Sequence, residues 1–95
     1  MKEIRVKLDH LDSESVERSW YEYNGAKDII GYLMTQENVN ENYLQQYINI
    51  AERRYAELEM KKNAVDKKYR PADIQNLVRY EFDFENEDLV YVTED

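Results

Sequence analysis

Between residues 40 and 68, Leu44, Ile48, Ala51, Tyr55, Leu58, Lys62 and Val65 recur at alternating spacings of four and three. A strict seven-residue repeat of this kind places its members on one stripe of a helix and demands a partner surface along the whole length. Tyr47 and Ile50 widen the stripe near its start. Asn38 with Glu41 three residues on has the form of a capping box, with Asn40 as a rival cap, and Pro71 forces a stop. Lys61, Lys62, Lys67, Lys68 and Arg70 suit the negative end of such a helix. The repeat therefore predicts a helix of about 29 residues over 40–68, some 43 Å long at ~1.5 Å per residue.

The rest of the chain is read against that rod. Upstream, Val16, Trp20, Tyr23, Lys27, Ile30 and Met34 fall on another helical stripe, predicting a helix over 13–35 capped by Ser13 or Asp12. Gly25 lies inside it, as a kink or a point of close approach. Ahead of this helix, "EIRVKL" alternates Ile4, Val6 and Leu8 with Glu3, Arg5 and Lys7, the pattern of a half-buried strand over 3–8. After it, "RPADIQNL" suggests one more helical turn at 71–77, with Pro71 at its first position. Residues 78–93 read as a hairpin, with strands at 78–84 and 89–93 joined by "ENED". The order β-α-α-β-β implies an α+β domain spanning 1–95. A long antiparallel helical hairpin packs on a small three-stranded antiparallel sheet made from both ends of the chain. Three strands of five to seven residues span only ~17–24 Å. The sheet cannot back the full hairpin, so part of the repeat must meet the first helix alone or a second chain. A homo-oligomer through Leu44, Ile48, Ala51, Tyr55, Leu58 and Val65 is the expectation.

Charge placement decides which partners to expect. The chain carries −8, and residues 81–95 alone hold seven acids and no base. Nucleic acid and anionic lipid should be repelled, and a protein with a basic surface is the natural partner. No apolar run reaches the ~20 residues of a membrane span. The N-terminus has no signal-like apolar block, and there is no cysteine, so a cytoplasmic protein is expected.

Enzyme chemistry finds little to build on. One histidine, His10, sits between Asp9 and Asp12 on an expected loop. No Cys or Glu-x-x-His pair exists, and two glycines, Gly25 and Gly31, cannot form a phosphate loop. "DFENED" lacks the glycine and the alternating order of a calcium loop. A non-catalytic interaction protein without cofactor or metal is the expectation.

Two features mark its binding surface. In "RYEFDFENEDLVYV", Glu81, Asp83 and Glu85 alternate with Tyr80, Phe82 and Phe84, and Glu87 and Asp88 follow. One reading is a solvated strand face that discourages edge pairing. Another is a row of carboxylates ~6.5–7 Å apart, close to the spacing of phosphates along a nucleic-acid strand. In size and charge the chain resembles small acidic phage inhibitors of host nucleases, a resemblance of class that carries no residue across. The second feature is the trio Trp20, Tyr21 and Tyr23, crowded into one helical turn, so that they cannot share one core. Trp20 and Tyr23 fit a core with Tyr21 at the sheet edge, or all three fit an interface. A nucleotide or small-molecule binder is a further alternative, its ring stacked on this trio and its phosphate on Arg53 or Arg54. The bases of 52–70 read as a solvated helix face, Glu57 supporting Lys61, whose end can neutralise the acidic hairpin.

Overall fold

A computed structural model describes residues 1–95. It shows an α+β fold in which a helical hairpin packs on a three-stranded antiparallel sheet, in the order β-α-α-β-β. The elements are β1 (Lys2–Lys7), α1 (His10–Met34), α2 (Glu41–Tyr69), β2 (Leu77–Asp83) and β3 (Asp88–Thr93).

Boundaries shift for local reasons. α1 starts at His10 because Asp9 is the cap, accepting the Leu11 amide proton at 2.9 Å. Asp12, an expected cap, is taken instead by Tyr69 and Lys68. His10 is therefore the first residue of a helix and not part of a loop. Asn40 caps α2, its Oδ1 accepting from the amides of Asn42 and Tyr43. The stretch after Pro71 is a single turn, closed by the Ile74 amide on the Pro71 carbonyl, and not a helical turn. α1 runs unbroken through Gly25, which receives no close neighbour: a Cβ there would meet nothing within 4 Å.

β3 is the middle strand of the sheet, with β1 and β2 as its edges. Its inward residues Leu89 and Tyr91 join Leu8, Val16, Leu58 and Val65 in the core. Val90 and Val92 face the other way and are still buried. Above them lie the long side chains of β1 and β2, and Arg5 reaches from one edge strand across β3 to Asp83 on the other at 2.9 Å. That bridge roofs the outer face with hydrocarbon stems and paired charge.

The core sits at one end of the molecule, which measures 53 × 28 × 20 Å. From α2 it takes Leu58 and Val65 and none of the first half of the repeat. Toward the hairpin tip the helices lean on each other through Ala26 and Ala51, with Ile30, Leu33, Leu44 and Ile48 half-buried. The hairpin thus overhangs the sheet, as the lengths of the elements required. No helix is long and apolar enough to cross a membrane.

Candidate protein-interaction surface

The acidic end of the chain is held by bases. Asp83 accepts from Arg5 and from the side chain and backbone N–H of Asn86, which together hold its carboxyl down to about 2. Asp88 shares Arg5 at 3.2 Å, and Glu81 takes Arg79 at 2.7 Å. Glu87 meets His10 Nδ1 at 2.6 Å; this contact, with Glu14 nearby, raises the imidazole above its usual range. Glu85 lies in the turn Phe84–Glu87, which Lys7 also clasps through the Asn86 carbonyl. Glu87 holds positive φ there, an unusual conformation for a glutamate. The carboxylates therefore do not form one free row, because bases from β1, β2 and α1 interrupt it. The basic end of α2 plays no part in this: Lys68 goes to Asp12 and Arg70 to Asp66. Glu57 meets Arg54 rather than Lys61. No group of three or more His, Asp or Glu side chains could hold a metal ion.

The aromatic trio divides. Trp20 is 42% exposed, lying edge-on to Tyr21 at 5.0 Å and against Phe84 at 6.1 Å. It lies beside the core and not within it. Tyr21 is exposed and lies edge-on to Trp20. Tyr23 turns inward between the helices and meets Tyr55 at 5.3 Å. Arg54 is bound to Glu22 at 2.8 Å, and Arg53 is exposed. The cation that does lie beside a ring of the trio is Lys27, over Tyr23 at 5.2 Å.

Of the expected oligomer stripe, Ala51, Leu58 and Val65 are spent inside the chain itself. Leu44 and Ile48 remain half-buried, and Tyr55 is exposed. What these leave open is a trough. α1 faces α2 through Val16, Ser19, Tyr23, Ala26, Ile30 and Leu33, again spaced by three and four. Next to that seam runs a second stripe, Trp20, Lys27 and Met34. At the sheet end it meets Phe84; past the sheet Lys27 lies over the Tyr23 ring and Met34 is exposed.

The trough has two parts. Close to the sheet, Trp20, Phe84, Tyr80 and Lys62 border a notch of about 140 Å³ floored by Val16 and Leu58. Beyond the Tyr23–Tyr55 pair, a groove of about 340 Å³ is lined by Ile30, Ile48 and Ala51, with Lys27 on the α1 rim and Glu52 on the α2 rim. Both lie on the side of the hairpin that carries the sheet, and the groove is where that layer runs out. Lys27, Ile30 and Glu52 in the groove, and Val16, Lys62, Tyr80 and Phe84 in the notch, are not assigned to a binding surface from the sequence alone. The available signal was the 16-19-23-26-30-33 register, in which Ser19 and Ala26 stand as small seam residues.

Comparison with known proteins gives no matching family model, no matching curated protein and no matching solved structure.

Proposed function

We propose that this chain is a non-catalytic adaptor that works by binding another protein along the trough on the overhanging half of its helical hairpin. The observation that carries the reading is the groove between Ile30 and Ile48, an apolar strip that neither the chain's sheet nor its loops cover. A strip of this kind, rimmed by polar groups, offers a partner apolar side chains to cover. Trp20 and Tyr21 at its sheet end add aromatic area of the sort that dominates binding hot spots. The preferred partner presents basic residues, since Glu52 forms no ion pair and the chain carries −8.

The rival reading, an acidic mimic that blocks a nucleic-acid-binding protein, draws less support from the ion-paired hairpin. One experiment separates them: capture of partners from the native host with wild type, Ile48→Asp and Asp83→Lys/Glu85→Lys. Ile48→Asp should lose the partner while keeping a wild-type circular dichroism spectrum, and the charge reversal should keep it. The opposite pattern would make the chain a mimic. A purified protein that binds no protein, but melts higher with a nucleotide, would make it a ligand binder.

A further inference from the structure

The groove's shape and charges also limit what can lie in it. We infer that it takes an amphipathic α-helix from a different chain, laid along the hairpin with an acidic flank on α1 and a basic flank on α2. This rests on the reading that the trough binds protein.

The occupant must be a helix because of where the groove lies. Its floor is side chains of α1 and α2, and no strand edge borders it. An extended peptide there would hold unpaired N–H and C=O groups against Ile30, Ile48 and Ala51, with no ladder to join. A helix satisfies its own backbone and presents one apolar stripe. It also fits the available layer: helices pack with axes ~8–10 Å apart. From Tyr23 to Met34 the overhang runs twelve residues, ~17 Å between first and last, enough for about three helical turns.

The flanks follow from Lys27 and Glu52. Lys27 has no carboxylate partner and lies over the Tyr23 ring at 5.2 Å. Glu52 has no base within ion-pair distance, and Arg54 is committed to Glu22 and Glu57. These two unpaired charges of opposite sign stand on opposite rims. A helix between them is steadied by Asp or Glu toward α1 and by Lys or Arg toward α2.

A second copy of this chain suits the groove less well. The sheet occupies the same side of the hairpin, so a twofold axis along the helices would drive each hairpin into the other's sheet. A twofold axis across the helices clears the sheets, but lays α1 on α1 and brings Lys27 toward its own copy and Glu52 toward its own.

The test uses two stapled 14-residue helices with leucine at positions 1, 4, 8 and 11, Glu on one flank and Lys on the other, the flanks exchanged between the two. Methyl NMR of the full chain should show Ile30 and Ile48 shifting on titration. The matched peptide should bind about tenfold more tightly than the exchanged one. Lys27→Glu/Glu52→Lys should reverse that order. Equal affinities, an order the double variant leaves alone, or equal binding by a proline-broken peptide would overturn the inference. So would light scattering that shows a dimer dissolved by Ile48→Asp, which would give the groove to a second copy. If Ile48→Asp abolishes capture of a native partner and neither peptide binds, the helix inference fails alone. If Ile48→Asp keeps the partner, the trough reading itself fails.

Discussion

Tyr91, fully buried at the centre of the sheet, donates its hydroxyl to the Asp66 carboxylate on α2 at 2.8 Å. Arg70 holds the same carboxylate through two N–H groups, at 3.0 and 2.7 Å. Burial and the adjacent carboxylate push the phenol well above its ordinary value, so it stays a donor. The contact ties the middle strand to the last turns of α2. Tyr91→Phe should lower stability by about 1–2 kcal/mol in urea denaturation, since Asp66 keeps Arg70 but loses a buried donor. Asp66→Ala should cost more, because it removes the carboxylate from both Tyr91 and Arg70 and leaves the phenol only the backbone carbonyl of residue 66, at 3.4 Å.

Ser19 makes the opposite prediction. Its hydroxyl oxygen is buried in the seam between the helices and has no hydrogen-bond partner. Replacing it with a methyl group removes an unsatisfied polar atom and improves helix propensity. Ser19→Ala should raise stability by about 1 kcal/mol, seen as a higher urea midpoint with an unchanged slope. A loss of stability would show that Ser19 is satisfied in solution.

Two glycines in α1 are uncrowded, and both Gly25 and Gly31 would accept a Cβ without meeting an atom within 4 Å. Gly25→Ala and Gly31→Ala should therefore each stabilise the chain by up to about 1 kcal/mol. Thermal melts of the two single variants and the double variant test both the sign and the additivity.

Ionisation acts from two sides. Asp83 is held down to about 2, so its contribution is complete above the ordinary carboxylate value of 3.8 and fades as pH falls toward 2. His10 is raised by Glu87. Its contribution is complete below the ordinary imidazole value of 6.5, and it is lost as pH rises through the raised one. The melting-temperature gap between wild type and Asp83→Ala should thus narrow on acidification. The gap between wild type and His10→Ala should close on the alkaline side. Both groups are at the surface, so added salt should shrink both gaps.

The α2 stripe was legible because each of its seven positions except Lys62 carries an apolar or aromatic side chain, and the spacing never slips. The α1 seam was half legible. Val16, Tyr23 and Ile30 belong to both possible stripes, and the bulky Trp20 and Met34 pulled the assignment toward the one that the structure leaves open beyond the sheet. Ser19 and Ala26 weigh little on a hydropathy scale, yet small side chains are what a close helix pair takes. Fixing the cap of α1 needed Tyr69, which takes Asp12 from 57 positions away. The charge on the acidic hairpin needed Arg5, which reaches Asp83 across 78 positions. Contacts at that separation leave no local periodicity. The overhang itself was foreseeable from element lengths; the side on which it opens was not.

The middle strand of the sheet has a kinetic consequence. β3 pairs with β1 in a register that sets Lys2 opposite Thr93, so this ladder closes a loop of almost the whole chain. Closing that loop costs more chain entropy than forming either hairpin, α1–α2 or β2–β3, whose contacts are local. Folding should start in the two hairpins, with β1 docking last, after the rate-limiting step. Truncating Val6 should then speed unfolding while leaving the refolding rate almost untouched, and truncating Leu58 should slow refolding. Until β1 docks, one side of β3 is an open ladder beside Val90 and Val92. That interval is when the chain is most exposed to pairing with a strand from another molecule.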